Sequence, residues 1–354
     1  MHILVVNPGS TSTKIAVFEN DKELFHKSLS HPVEEIAQFK AITDQYEWRK
    51  QLVLEAVKQA GCPFDFAAVV GRGGLLKPIP GGVYRVNEQM MNDVRTSEHS
   101  HASDLGCLIA YEIAKDIPGC QSFIADPVVV DELCDSARIC GSPLMERLSI
   151  WHALNQRAIA RRFAKEQGKR YEDFNLVVVH LGGGVSVAAH EHGKCIDVNN
   201  ALDGEGPFGP ERAGTLPASG LIKLCFSGEY TEAQLLKMVS GKAGLAALLG
   251  TNDMREVERS INEDHDEKAT RYTDAMIYHI AKAITAQGAV LCGKVDAILI
   301  TGGMARWGYL VEGLKARCEW MAPVHCYPGE DELEALALNA LDVLNGTVEA
   351  QEYK

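Results

Sequence analysis

One local pattern, met twice, restricts the fold of this chain more than any other feature of it. Residues 3–6 (ILVV) form a short apolar, β-branched run that ends in a polar, glycine-containing turn. Residues 14–18 resume as a strand, and residues 22–29 alternate as a third. Far downstream the order returns. Residues 176–181 (LVVVHL) are a buried-strand run, a glycine turn follows, residues 185–190 read as the partner strand, and His192 and Gly193 turn the chain into residues 194–198. Two copies of strand, small-residue turn, strand, hairpin and strand share pattern rather than identity. They predict an internally duplicated α/β fold.

The remaining segments fill in each copy. Residues 33–60 read largely as helix, 67–70 as strand, 105–115 as helix, 122–125 as strand and 151–165 as helix. In the second half, residues 268–291 look like one long helix feeding a strand at 297–300, with a small-residue turn at 301–303. Residues 331–344 form an amphipathic, Ala- and Leu-rich helix that needs a surface to bury against, and we expect it to return to the first domain. A length of 354 residues suits two domains. We place them at 1–128 plus 333–354, and at 129–332.

Composition narrows the function. Hydrophobic residues at 46% and charged residues at 23% are ordinary for a folded, soluble α/β protein. A formal charge of -13 argues against a nucleic-acid or anionic-membrane partner, both of which need a basic field, so an anionic substrate must be met by local positive groups. The ten cysteines form no C-x-x-C pair and no secretory leader precedes the first strand, which together point to a cytoplasmic location. No apolar stretch approaches the length of about 20 residues that spans a bilayer.

Two turns carry phosphate chemistry. NPGSTSTK at 7–14 puts hydroxyls, a glycine and a lysine into a turn between strands, a source of donors for phosphate oxygens that is not a Walker loop. An ordinary polar hairpin has the same composition. HLGGGVS at 180–186 occupies the equivalent turn of the second copy, where consecutive glycines let backbone amides approach an anion, although a bulged hairpin also explains them.

These turns, with GRGGLLKP at 71–78, HALNQ at 152–156 and PERAGTLP at 210–217, resemble the acetate kinase family, in its butyrate kinase branch, nearly end to end. The resemblance implies an actin-like (ribonuclease H-like) fold of two domains around a nucleotide cleft. It implies ATP and ADP as cosubstrates, Mg2+, a short-chain carboxylic acid as partner, and at least a homodimer. It places Asn7, Ser10, Thr11, Ser12 and Lys14 in the first phosphate loop. His180, Gly182, Gly183 and Gly184 fall in the second, and Gly302 and Gly303 in an adenosine loop. Asp253 and Arg255 fall near the ribose, His152 on the phosphoryl in flight and His101 in the active cleft. Asp126 and Glu332 fall near magnesium, with Glu330 and Asp331 as adjacent candidates.

The chemistry suits these side chains. A carboxylate nucleophile is already ionised at neutral pH, so transfer from ATP needs no general base, only cancellation of anion repulsion and in-line positioning. Guanidinium forks suit planar oxyanions, so we assign Arg72 to the acid carboxylate and developing transition state, and Arg212 to the transferring phosphoryl. Bland readings stand beside each assignment. Either arginine can be a surface salt-bridge partner, Asp126 can cap the turn before Pro127, Glu332 can be a helix-start acid, and Asn252 or Asp253 can cap a helix. The pairs His99 with His101 and His190 with His192 suggest zinc but lack a third ligand at sensible spacing; His190 and His192 read as solvent-facing turn residues. Four-carbon acids are the first choice of substrate, with isobutyrate, acetate and propionate as neighbours, because one methylene is worth only about 1 to 3 kcal/mol. A non-catalytic ATPase switch and a sugar kinase share the fold class and are the rival readings.

Overall fold

The computed structural model describes residues 1–97 and 101–354. Its first apolar run forms β1 (His2–Pro8), buried along nearly its whole length, which pairs antiparallel with β2 (Ser12–Glu19). β2 pairs in turn with β3 (Lys22–Ser30), and β4 (Phe66–Arg72) lies parallel to β1 on its other side. β5 (Val83–Arg85), β6 (Gln121–Ala125) and β12 (Gln351–Glu352) complete a seven-stranded sheet in the order β12-β5-β6-β4-β1-β2-β3. Leu4 and Val6 of β1 share a cluster with Leu105 and Leu108 of the helix Leu105–Ala114, while the helix Glu332–Leu344 also packs on β1 and β4.

The second sheet repeats the plan. β7 (Asn175–Leu181), β8 (Val185–Glu191) and β9 (Lys194–Val198) form an antiparallel meander, β10 (Ala297–Gly302) lies parallel to β7, and β11 (Val324–Pro328) lies parallel to β10. Alternate residues of β7 serve opposite faces, as strand geometry requires. Val177 and Val179 pack with Met276 and Ile280 of the helix Glu267–Val290. Leu176 and Val178 pack with Ile159 and Phe163 of the helix Ala153–Glu166. Strands buried on both faces read as continuous hydrophobic runs, which is why VVV suits this position.

The chain divides into two compact units, Met1–Asp131 with Asp331–Lys354, and Glu132–Glu330. Residues 129–131 and 331–332, placed in the second domain by the sequence reading, fall in the first unit. Local bonds explain the shift: the Asp131 amide donates to the Ile79 carbonyl at 2.9 Å, and Glu332 bonds Asn7. The expected single helix over 33–60 is also broken, into Val33–Ile36, a 3-10 turn Ile42–Gln45 and the helix Tyr46–Gln59. Trp48 packs in tilted contact against both His31 and Phe39, and the Asp44 carboxylate takes the Ala41 amide, so the chain folds back and restarts. Among the described residues, no helix is long and apolar enough to cross a membrane.

Candidate active site

The turn at residues 7–14 is shorter than its sequence suggests. β2 already begins at Ser12, and Thr13 is buried with its hydroxyl bonded to His31 Nε2 at 2.8 Å, so Ser10 and Thr11 are the exposed hydroxyls of the turn itself, while Lys14 is exposed on the strand. Beneath the turn lies Arg49, which the sequence reading did not single out. Its buried guanidinium donates to the carbonyls of Gly9 (2.7 Å) and Ser10 (3.2 Å) and to Thr13 Oγ1 (3.2 Å). The Thr11 carbonyl accepts from the His31 amide at 2.8 Å, and the Ser12 carbonyl from the Gly9 amide at 2.7 Å. In a trans peptide the N–H points opposite to the C=O. Carbonyls drawn inward at Gly9 and Ser10 therefore turn the amides of Ser10 and Thr11 outward, the arrangement that receives an anion. Burial lowers Arg49 to about 10, still charged at neutral pH.

Three residues far apart in sequence meet at the end of the same sheet. Arg72 closes β4, and its Nη1 lies 3.2 Å from Glu332 Oε2; Asn7 Nδ2 donates to the same oxygen at 2.7 Å. Glu332 sits in the first turn of its helix, where the dipole favours a carboxylate. Asp104 fixes the loop after Arg72: its buried carboxylate accepts the amides of Leu75 and His101, both at 2.7 Å, and burial nevertheless pushes its pKa up. Gly74 is required beside it, because a Cβ there would fall 1.8 Å from Asp104 Oδ1. His101 is exposed and uses Nδ1 to accept from the Ser103 amide. Asp126 follows β6 in a left-handed conformation (φ 38°), exchanging bonds with Gly82 through its amide (2.9 Å) and Oδ1 (2.8 Å), which tie the end of β6 to the segment before β5.

In the other unit, His180 lies near the end of β7 and stacks face to face on His152, with centroids 3.8 Å apart and planes at 9°. Its Nδ1 meets Asn155 Oδ1 at 2.8 Å and its Nε2 meets Glu330 Oε1 at 3.2 Å. Glu330 and Glu332 therefore part company: one faces His180, the other Asn7 and Arg72. Gly184 is the constrained member of the triple glycine, since a Cβ there would lie 2.2 Å from Arg212 Nη1. Arg212 donates to the Ala201 carbonyl, its buried Nε has no hydrogen-bond partner among the described residues, and burial lowers its pKa. A buried guanidinium N–H without an acceptor is costly in water-excluded protein and is what an anion would satisfy. Gly302 (φ 95°) is equally constrained, with a Cβ 2.3 Å from the Leu181 carbonyl, whereas a Cβ at Gly303 would meet open space.

One expectation needs correction. His190 is not solvent-facing: it is 0% exposed, bonded to Tyr171 through Nδ1 and to Gln156 through Nε2, and burial lowers its pKa to about 3. β8 is buried on both faces from Val185 to His190, so His190 lies inside, while His192 does occupy the exposed turn. Asp253 and Arg255 are engaged with each other: the Asp253 carboxylate caps the helix Met254–Asn262 and pairs with Arg255 at 2.7 Å, which lowers it to about 2. Any ribose contact must compete with that pair. His99 lies outside the described residues. Among the described residues no group of three or more His, Cys, Asp or Glu is arranged to hold a metal ion.

Residues 147–315 match the acetokinase family. A probable butyrate kinase of Bacteroides thetaiotaomicron is 58% identical over 354 residues, covering 100% of both chains. The chain belongs to the acetokinase family. Butyrate kinase 2 of Clostridium acetobutylicum is 51% identical to this acetokinase over 355 residues, 99% of each chain. The crystal structure of Porphyromonas gingivalis acetate kinase covers 97% of this acetokinase and 99% of its own chain at a TM-score of 0.79 and 19% identity, which shows the shared actin-like fold. Magnesium keeps water and substrate phosphates as ligands and takes only one or two protein carboxylates, so it needs no three-residue cage. Glu332 fits that demand: Oε2 is held by Asn7 and Arg72, and Oε1 takes no protein donor among the described residues.

Proposed function

We propose that this acetokinase is a butyrate kinase, moving the γ-phosphoryl of ATP to the carboxylate of butyrate, and back, by direct in-line transfer. The observation that carries the reading is the full-length match, at 58% identity, to a chain named probable butyrate kinase. The geometry supports it with cations rather than bases. Arg72, anchored by Glu332, takes the acid carboxylate. Arg212, with a buried N–H awaiting an acceptor, takes the transferring phosphoryl. His152 donates to the same phosphoryl group. The amides of Ser10 and Thr11 and the turn around Gly182, Gly183 and Gly184 hold phosphate oxygens. Asp126 and Glu332 would hold magnesium or its waters, and the ion would neutralise phosphate charge. Domains, cofactor and site roles follow the family resemblance. So does a homo-oligomer, at least a dimer, and ten cysteines without any C-x-x-C pair support a cytoplasmic setting.

The test is acyl-phosphate formation by the purified protein with MgATP and a panel of acetate, propionate, butyrate, isobutyrate, valerate and glycerol, trapping the product as its hydroxamate. Preference for butyrate or isobutyrate, with Arg72→Ala raising the KM for the acid at least about tenfold, supports the reading. Preference for acetate keeps the mechanism and overturns the acid. ADP release without acyl phosphate would point to an ATPase switch.

A further inference from the structure

We propose that Ser186, oriented by Gln156, is a positioning residue that fixes the tautomer of His152, so that the proton sits on Nε2 and the bare Nδ1 faces the protein. The inference rests on the reading of His152 as a donor to the phosphoryl group, and it deepens that reading by saying which nitrogen donates and what holds it there.

The deduction starts from an atom whose role is certain. The Ser186 backbone carbonyl can only accept, and a Gln156 side-chain atom lies 3.1 Å from it, so that atom must be the amide nitrogen. The same nitrogen lies 2.8 Å from Ser186 Oγ, so the hydroxyl oxygen accepts from Gln156. Ser186 is 0% exposed, and its own hydroxyl proton needs an acceptor inside the protein. The remaining partner is His152 Nδ1, at 2.8 Å. Ser186 therefore donates to Nδ1, and the neutral ring carries its proton on Nε2.

The far end of the chain agrees. With the nitrogen of Gln156 turned to Ser186, its Oε1 faces His190 Nε2 at 3.0 Å and accepts from it. His190 then presents an unprotonated Nδ1, which accepts from the Tyr171 hydroxyl. Every donor from Tyr171 through His190, Gln156 and Ser186 points the same way along the chain, and reversing one member would set two acceptors or two donors against each other. The buried histidine that the sequence placed in solvent is thus the anchor that holds Gln156 in one orientation. A histidine that can donate from only one nitrogen cannot lose that donor by tautomer exchange, the device by which buried partners commonly orient catalytic and metal-binding imidazoles.

The experiment is long-range 1H–15N NMR of the full chain labelled with 15N-histidine, with the His152 signals assigned by their loss in His152→Asn. Wild type should show His152 protonated at Nε2 without nucleotide present. A His152 proton on Nδ1 overturns the proposal by itself, with no variant needed. Ser186→Ala should leave a mixture of tautomers and lower kcat about ten- to a hundredfold, while KM for ATP and acid stays within about twofold. Ser186→Thr, which keeps the hydroxyl, should recover most of that loss. Gln156→Glu presents acceptors at both ends and should move the His152 proton to Nδ1. An unchanged kcat in a folded Ser186→Ala would overturn the positioning role. A wild type inactive toward every acid would count against the proposed function, and the spectrum alone would then judge the tautomer.

Discussion

A Cβ at Gly184 would lie 2.2 Å from Arg212 Nη1 and 3.0 Å from its Cζ, so a single methyl group there and the guanidinium cannot share the space. The clash falls on the residue assigned to the transferring phosphoryl, whose position matters more than its mere presence. Gly184→Ala should therefore lower kcat by about a hundredfold, approaching Arg212→Ala, while the double variant should be little worse than Arg212→Ala alone. Additive losses would show that Gly184 acts independently of the arginine. The site residues were legible at this scale only as members of motifs. GGG in a turn announces backbone room, but nothing in the string says which glycine faces an arginine from residue 212.

At the scale of elements, the first phosphate turn shows how a helix can shape a loop it does not belong to. Arg49 comes from the helix Tyr46–Gln59 and reaches across to the carbonyls of Gly9 and Ser10. A lysine keeps the charge but replaces a planar fork by one point donor. Arg49→Lys should therefore raise the KM for ATP about tenfold and destabilise the fold by about 1 to 3 kcal/mol, read by steady-state kinetics and urea denaturation. Unchanged KM with unchanged stability would refute the role. A buried arginine could have been suspected from YEWRKQLVLEAVKQ only by asking why Arg49 falls in line with Val53 and Val57, the buried positions at helical spacing. The break of the expected 33–60 helix hid that face, because its cause, Trp48 packed against His31 and Phe39, is a contact between residues distant enough that periodicity does not register it.

For the molecule as a whole, two buried neutral histidines couple stability to pH. Burial, with a nearby arginine adding to it, lowers His31 to about 4 and His190 to about 3, against about 6.5 when unfolded. Between those values the unfolded chain binds protons that the folded chain refuses, so stability is full above about pH 6.5 and falls as pH drops toward 4. Each ring contributes at most about 1.4 kcal/mol per pH unit in that window. Asp104, raised by burial, works in the opposite direction. Thermal melts from pH 7.5 to 4.5 should show a steady loss of stability, and a flat melting temperature would show that both rings protonate without penalty.

The sequence by itself determined the duplicated α/β plan, because period-two apolar runs and small-residue turns are local consequences of strand geometry and recur visibly at both copies. It also determined the family, since five long strings in order leave little room for another. Tertiary structure alone decided that Glu332 belongs with Asn7 and Arg72 while Glu330 belongs with His180, two residues apart in sequence yet in different units. It alone decided that His190 is buried against Tyr171 and Gln156 rather than on a surface turn, and that Arg49 holds the carbonyls of Gly9 and Ser10. The physical reason is common to all three. Hydrogen-bond partners chosen across tens or hundreds of residues depend on where folded elements put their ends, and no spacing rule within a segment encodes that.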